Sequence, residues 1–138
     1  MEETFTISAT GLYYSRLALA AFFAILFTQS GLDKVINFRE NLSWLVGHFK
    51  DTFLSGLVPL LLISITLTEL ASGLLSAYGI VELLVHHTHQ AAFWGIAFGA
   101  LSLVMLFFGQ RIAKDYAGAS GLVSYFIVAV VGLLLLGY

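Results

Sequence analysis

The chain has 138 residues, 59% of them hydrophobic and 10% charged, with a net charge of −2 at neutral pH. A soluble domain carries about 25% charged residues, and a water-soluble fold of this size could not hide so much apolar surface, so the composition points to an integral membrane protein. The slight negative balance excludes a nucleic-acid role, which calls for a basic patch. The absence of cysteine excludes disulfides, thiolate metal sites and thiol redox chemistry in this chain.

Met1–Thr10 reads as a short polar lead-in. It opens Met-Glu-Glu-Thr-Phe, acidic where a secretory signal needs a positive segment and a cleavage site. The first apolar stretch is therefore expected to be retained. Leu12–Leu32 predicts the first span, with Arg16 near one end and Gln29 near the other. Asp33–Lys50 is too polar to span. Val35, Phe38, Leu42, Leu45 and Phe49 recur at steps of three and four, which predicts an amphipathic helix lying on the membrane surface with Trp44 near the headgroups. Phe53–Tyr78 predicts the second span, with Pro59 about two turns in and expected to kink it. Gly79–Gln90 predicts a connection. Ala91–Phe108 predicts the third span, and its Gly95 and Gly99 form a small-xxx-small pair suited to close helix packing. Gly109–Gly118 predicts a polar turn, and Ala119–Tyr138 the fourth span. The fold expected over residues 1–138 is thus a single all-α membrane domain: a four transmembrane helix bundle with an amphipathic surface helix between spans one and two.

Lys34, Arg39 and Lys50 lie in the first connection, and Arg111 and Lys114 in the third, whereas the opposite face has no lysine. The positive-inside rule then places these connections in the cytoplasm and both termini on the outer, periplasmic side.

Glu69 is the one charge in its span, and an ionisable group at that depth costs several kcal/mol unless partnered. On the bounds above, Arg16 and Glu69 differ in depth by only about 5 Å. The expected arrangement is an Arg16–Glu69 ion pair with Thr66, Thr68 and Ser72 donating further hydrogen bonds. It reads either as a staple between spans or as a polar pocket for a headgroup, a quinone ring or a proton. At the cytoplasmic end Gln29, Asp33, Lys34, Arg111 and Lys114, with Gln110 and Asp115, form a second polar set. Solvated anchoring or contact with anionic lipid or a partner would explain it. Glu82, His86 and His89 fall on one face if their segment is helical, a weak zinc or iron candidate. Incidental interfacial histidines are the preferred reading, and no metal is expected. His48, His86, His87 and His89 all lie outside the spans, which argues against intrinsic haem.

Three stretches carry a family resemblance. Arg16-Leu17-Ala18-Leu19 opening span one and Ser30-Gly31-Leu32-Asp33-Lys34 closing it resemble landmarks of the DoxX family of small bacterial membrane proteins. Glu69-Leu70-Ala71-Ser72-Gly73-Leu74-Leu75 resembles its second landmark. The resemblance spans nearly the whole chain and implies a four-helix bundle in a bacterial inner membrane, associated with redox systems such as thiosulfate–quinone oxidoreductases. The matching landmarks are Arg16, Gly31, Lys34, Glu69 and Gly73, with Gly31 and Gly73 placed for helix packing.

The function expected is a non-catalytic accessory subunit of a larger respiratory or redox membrane complex, since no cysteine, haem-ligand pair or nucleotide motif marks a catalytic centre. The alternatives are a quinone-linked oxidoreductase component with a pocket at Arg16 and Glu69, and a small transporter. No intrinsic cofactor is expected beyond a quinone or a bound lipid. The partners expected are the bilayer and other membrane subunits.

Overall fold

Ser8 starts the first helix. Its hydroxyl accepts the Gly11 N–H at 3.0 Å, and α1 then runs Ala9–Ile36. The computed structural model describes residues 8–138; most of the expected lead-in, residues 1–7, lies outside them. The remaining helices are α2 Phe38–His48, α3 Val58–His86 preceded by a 3-10 turn Ser55–Leu57, α4 Gln90–Ile112, α5 Tyr116–Gly121 and α6 Val123–Leu136. Every described element is a helix. Among the described residues, four segments are long and apolar enough to cross a bilayer: α1, α3 with its lead-in turn, α4, and α5 with α6. The protein is an all-α, multi-pass membrane protein.

The spans are longer than the sequence reading has them. α1 continues through Asp33 and Lys34 and breaks only at Asn37, whose side chain donates to Asp33 Oδ1 at 2.8 Å and whose N–H donates to the Asp33 carbonyl. The amphipathic helix is therefore confined to α2. Leu42, Leu45 and Phe49 pack with Leu54 and Val58 into a small apolar cluster, while Trp44 and Val46 stay exposed. Val35, counted on the same face by periodicity, belongs to α1 and is exposed.

Pro59 falls in the first turn of α3, where a missing N–H leaves no helix bond broken. The kink expected from its place inside a longer apolar stretch has no cause there. α3 runs on to His86, eight residues past Tyr78, and only His87–His89 remain as a connection. His87 closes the helix in the left-handed region at φ 54°. Glu82 Oε1 accepts the Ala91 N–H at 3.1 Å, meeting one of the free donors at the start of α4. The end of α4 is tighter than the expected ten-residue turn. Lys114, at φ 58°, reverses the chain, and Asp115 Oδ1 accepts the Gly118 N–H at 2.9 Å to start α5.

α3 lies between α1 and α4, and α6 packs on α4 and α1. Small residues set these spacings. A Cβ on Gly73 would sit 2.5 Å from the Thr28 backbone nitrogen, and one on Gly79 would sit 2.7 Å from Ala92. Gly95 abuts the Ser76 backbone, Gly99 abuts Phe27 and Ser72, and Gly31 abuts Leu70. Without a hydrophobic driving force inside a bilayer, such close backbone approach and the hydrogen bonds it permits hold helices together. The central core is Ala20, Phe23, Phe27, Leu83, Ala92, Ile96, Leu103, Ala129 and Leu136. The outer surface is itself apolar: Ile25, Ile36, Leu60, Leu67, Val85 and Leu134 are all more than 60% exposed, as a hydrocarbon solvent allows.

Candidate functional site: a buried ion pair beside an apolar cleft

Glu69 is 1% exposed, and its partner is Lys34. Lys34 Nζ donates to Glu69 Oε2 at 2.9 Å and to Ser30 Oγ at 2.8 Å, with the Ser30 carbonyl more distant at 3.5 Å. The expected Arg16–Glu69 pair is not formed. Arg16 Nε donates instead to the Leu135 carbonyl at 2.9 Å, tying α1 to the end of α6.

Helix register explains the exchange. Thr28 faces Gly73 and Gly31 faces Leu70, so Glu69 lies level with Leu32, and Arg16 lies level with Val85. Arg16 and Glu69 are then about 24 Å apart along the axis, at 1.5 Å per residue, beyond the reach of both side chains. The eight extra residues at the end of α3 put Glu69 much nearer the Lys34 end of the bundle than the shorter span implies. Lys34 turns inward from near the end of α1, and its four-carbon stem carries the ammonium to the acid.

The hydroxyls near Glu69 bond elsewhere. Thr66 Oγ1 donates to the Leu62 carbonyl at 2.6 Å and Thr68 Oγ1 to the Ile65 carbonyl at 3.0 Å. Ser72 Oγ donates to the Gly95 carbonyl at 2.6 Å, and Ser102 Oγ donates to Thr68 Oγ1 at 2.8 Å. The first two bonds stay within α3, the last two stitch α3 to α4, and none of them solvates the carboxylate. Lys34 is its hydrogen-bond partner among the described residues.

The polar set expected at the cytoplasmic end does not converge. Lys34 goes to Glu69, and Asp33 turns the other way to Asn37 and Asn41. Arg111 stacks on the Tyr116 ring at 4.5 Å, and Lys114 occupies the turn. Gln29 is exposed on α1 in an open groove of about 640 Å³, with Thr28, Leu32 and Ala77. Glu82, His86 and His89 do not share a helical face, because α3 stops at His86. No group of three His, Asp or Glu side chains among the described residues is placed to hold a metal.

What the sequence reading misses is the cleft beside Lys34. It measures about 290 Å³ and lies between α2, α3 and α4, closed at one side by Leu122. Its wall is apolar, including Trp44, Leu45, Phe49, Leu62, Ile65 and Met105; Lys34, Asn41 and Gln110 supply its polar groups. α2 forms the roof. His48 Nε2 donates to Gln110 Oε1 at 2.7 Å, and Gln110 Nε2 donates to Asp115 Oδ2 at 3.2 Å, so the end of α2 is tied to the α4–α5 turn. Trp44 stacks on His48 with ring centroids 4.4 Å apart. The amphipathic period of α2 is the one sequence signal for this cleft, because it shows that α2 must cover something apolar.

The arrangement suits an amphiphile. The apolar wall takes a chain or ring, and the ammonium offers a charged donor to an accepting head. Set against family models, curated proteins and solved structures, the chain matches none.

Proposed function

We propose that the protein is a DoxX-like subunit of the bacterial inner membrane that holds a quinone or a lipid in the cleft beside Lys34, and that it serves as a non-catalytic accessory member of a larger respiratory or redox complex. The observation that carries this is an apolar cleft of about 290 Å³ with one ammonium in its wall. The residues behind the family resemblance support it. Gly31, Lys34, Glu69 and Gly73 lie along one stretch of the α1–α3 contact, from which Lys34 reaches the cleft, whereas Arg16, the fifth, lies at the other end of the bundle.

Lateral partners are favoured by Gln29. It lies within the first span, exposed, with no hydrogen bond to the described residues. An amide facing hydrocarbon is costly unless another chain satisfies it. Orientation follows from charge. Arg39, Lys50, Arg111 and Lys114 lie at one end of the bundle, and the connection at the other end, His87–His89, has no lysine or arginine. The positive-inside rule puts the cleft and α2 on the cytoplasmic side and the C-terminus in the periplasm.

The test is purification from native membranes in mild detergent, followed by mass spectrometry of co-purifying proteins and of the lipid extract. A stoichiometric membrane partner together with a retained quinone or lipid is expected. A chain that leaves the membrane alone, with neither, overturns the reading.

A further inference from the structure

We propose that the ligand of this cleft is a lipophilic anion, an acidic head on an alkyl or isoprenoid tail, and that the protein takes up one proton on Glu69 as the anion binds. This rests on the cleft reading above and names the chemistry of its occupant.

The cleft meets only one end of the ion pair. Lys34 lines it, whereas Glu69 stands behind Lys34 and is 1% exposed. The polar lining consists of Lys34, Asn41 and Gln110, with no carboxylate among the lining residues. An incoming head therefore encounters a cation whose counter-charge is hidden. The ammonium also has a donor to offer. Of its three N–H groups, two serve Glu69 and Ser30 Oγ, and the contact left over, to the Ser30 carbonyl at 3.5 Å, is too long to hold it.

Charge balance then decides the rest. A bound anion would leave two negative charges on one ammonium in an apolar setting, where an uncompensated charge costs several kcal/mol. No second cation is within reach to correct this. On α1, Arg16 is about 24 Å away, and Asp33, outside the cleft lining, accepts from Asn37 and, at 3.5 Å, from the lining Asn41. On α3, the next charged group is Glu82, more than three turns along and bonded at the start of α4. α4 has no charged residue before Arg111, which stacks on Tyr116. On α2, Arg39 and Glu40 are exposed, and His48 is held by Gln110 across the cleft; in the α4–α5 turn Lys114 sits at the reversal, and Asp115, 3.9 Å from His48 Nε2, accepts from Gln110. A proton drawn from water at the α2 end restores neutrality by converting the Glu69 carboxylate to the acid. Lys34 then transfers its donor to the bound anion. The net event is one anion and one proton entering together.

The test uses Trp44, which lines the cleft, as reporter. The chain has two tryptophans, so Trp94→Phe in phosphatidylcholine nanodiscs isolates its fluorescence. The probes are dodecylsulfonate, ionised at every pH used, dodecanol and a short-chain quinone. Proton uptake is followed with an indicator dye in weak buffer. The expected result is tighter binding of the sulfonate than of dodecanol, with one proton taken up and affinity falling about tenfold per pH unit as pH rises, the slope that linkage requires for one coupled proton. Glu69→Gln should bind the sulfonate with no proton uptake and no pH slope. The double variant K34Q/E69Q, which leaves no buried charge, should lose the preference for the sulfonate and keep dodecanol. Equal binding of sulfonate and dodecanol, or proton uptake unchanged in Glu69→Gln, overturns the inference. Binding of dodecanol or the quinone without the sulfonate overturns it alone and leaves the cleft reading standing, whereas no response to any of the three overturns both.

Discussion

At the residue scale, the molecule turns on which cation meets Glu69. Removing one partner of a buried pair strands the other charge and costs about 3–5 kcal/mol, whereas removing both is often near neutral. Lys34→Ala should therefore destabilise the protein by an amount in that range. K34Q/E69Q should recover most of the loss, and Arg16→Ala should cost far less, because it removes one partly buried bond to the Leu135 carbonyl. Thermal unfolding of the purified variants in detergent checks the order. A larger loss in Arg16→Ala than in Lys34→Ala would return Glu69 to the arginine. The sequence makes plain that Glu69 needs a partner but not which one. An acid in an apolar run is visible by composition, whereas the choice between two basic residues on the same helix depends on axial register. That register depends in turn on where α3 ends, and Glu82 with three histidines after Tyr78 disguises two further turns of helix.

At the element scale, the α1–α3 and α3–α4 contacts rest on glycine and serine. Overpacking a tight contact typically costs about 1–3 kcal/mol. Gly73→Ala, whose new methyl would meet the Thr28 side chain and backbone, should lose that much. Gly47→Ala is the control: it is helical, nothing lies within 4 Å of its Cβ, and alanine should be neutral or gain up to about 1 kcal/mol. Equal effects at the two sites would mean that α1 and α3 are not in close contact. The periodicity of α2 is legible in advance, and so are the four apolar segments. The break between α1 and α2 is not, since Asp33 and Lys34 look like the start of a polar connection. Lys34 in fact points into the bundle, and Asn37 stops the helix one turn later through its bond to Asp33. Pro59 misleads for a related reason. Its effect depends on whether it falls in the first turn or the middle, and hydropathy alone cannot fix the first turn.

At the scale of the whole molecule, four crossings give the two ends of the bundle opposite character. One end carries α2, the cleft mouth and the basic connections; the other carries the histidine-rich connection and Arg16. A reporter fused after Tyr138 that is active only in the periplasm should be active, and one placed in α2 should be silent. The reverse pattern would invert the bundle and put the cleft mouth on the outer side. The expected topology rests on lysine and arginine because the positive-inside rule depends on counts in connections. The cleft is not, because it is a gap between three helices and no single helix records it.

The Lys34–Glu69 bond also bears on biosynthesis. Residue 34 leaves the ribosome before residue 69, so the basic partner is synthesised ahead of the acid-bearing helix. A carboxylate entering lipid by itself is penalised by roughly 3 kcal/mol on insertion scales. The ammonium stands at the height of the acid in the folded bundle, so Lys34→Ala is expected to lower the fraction of α3 that inserts, read by a glycosylation-site insertion assay.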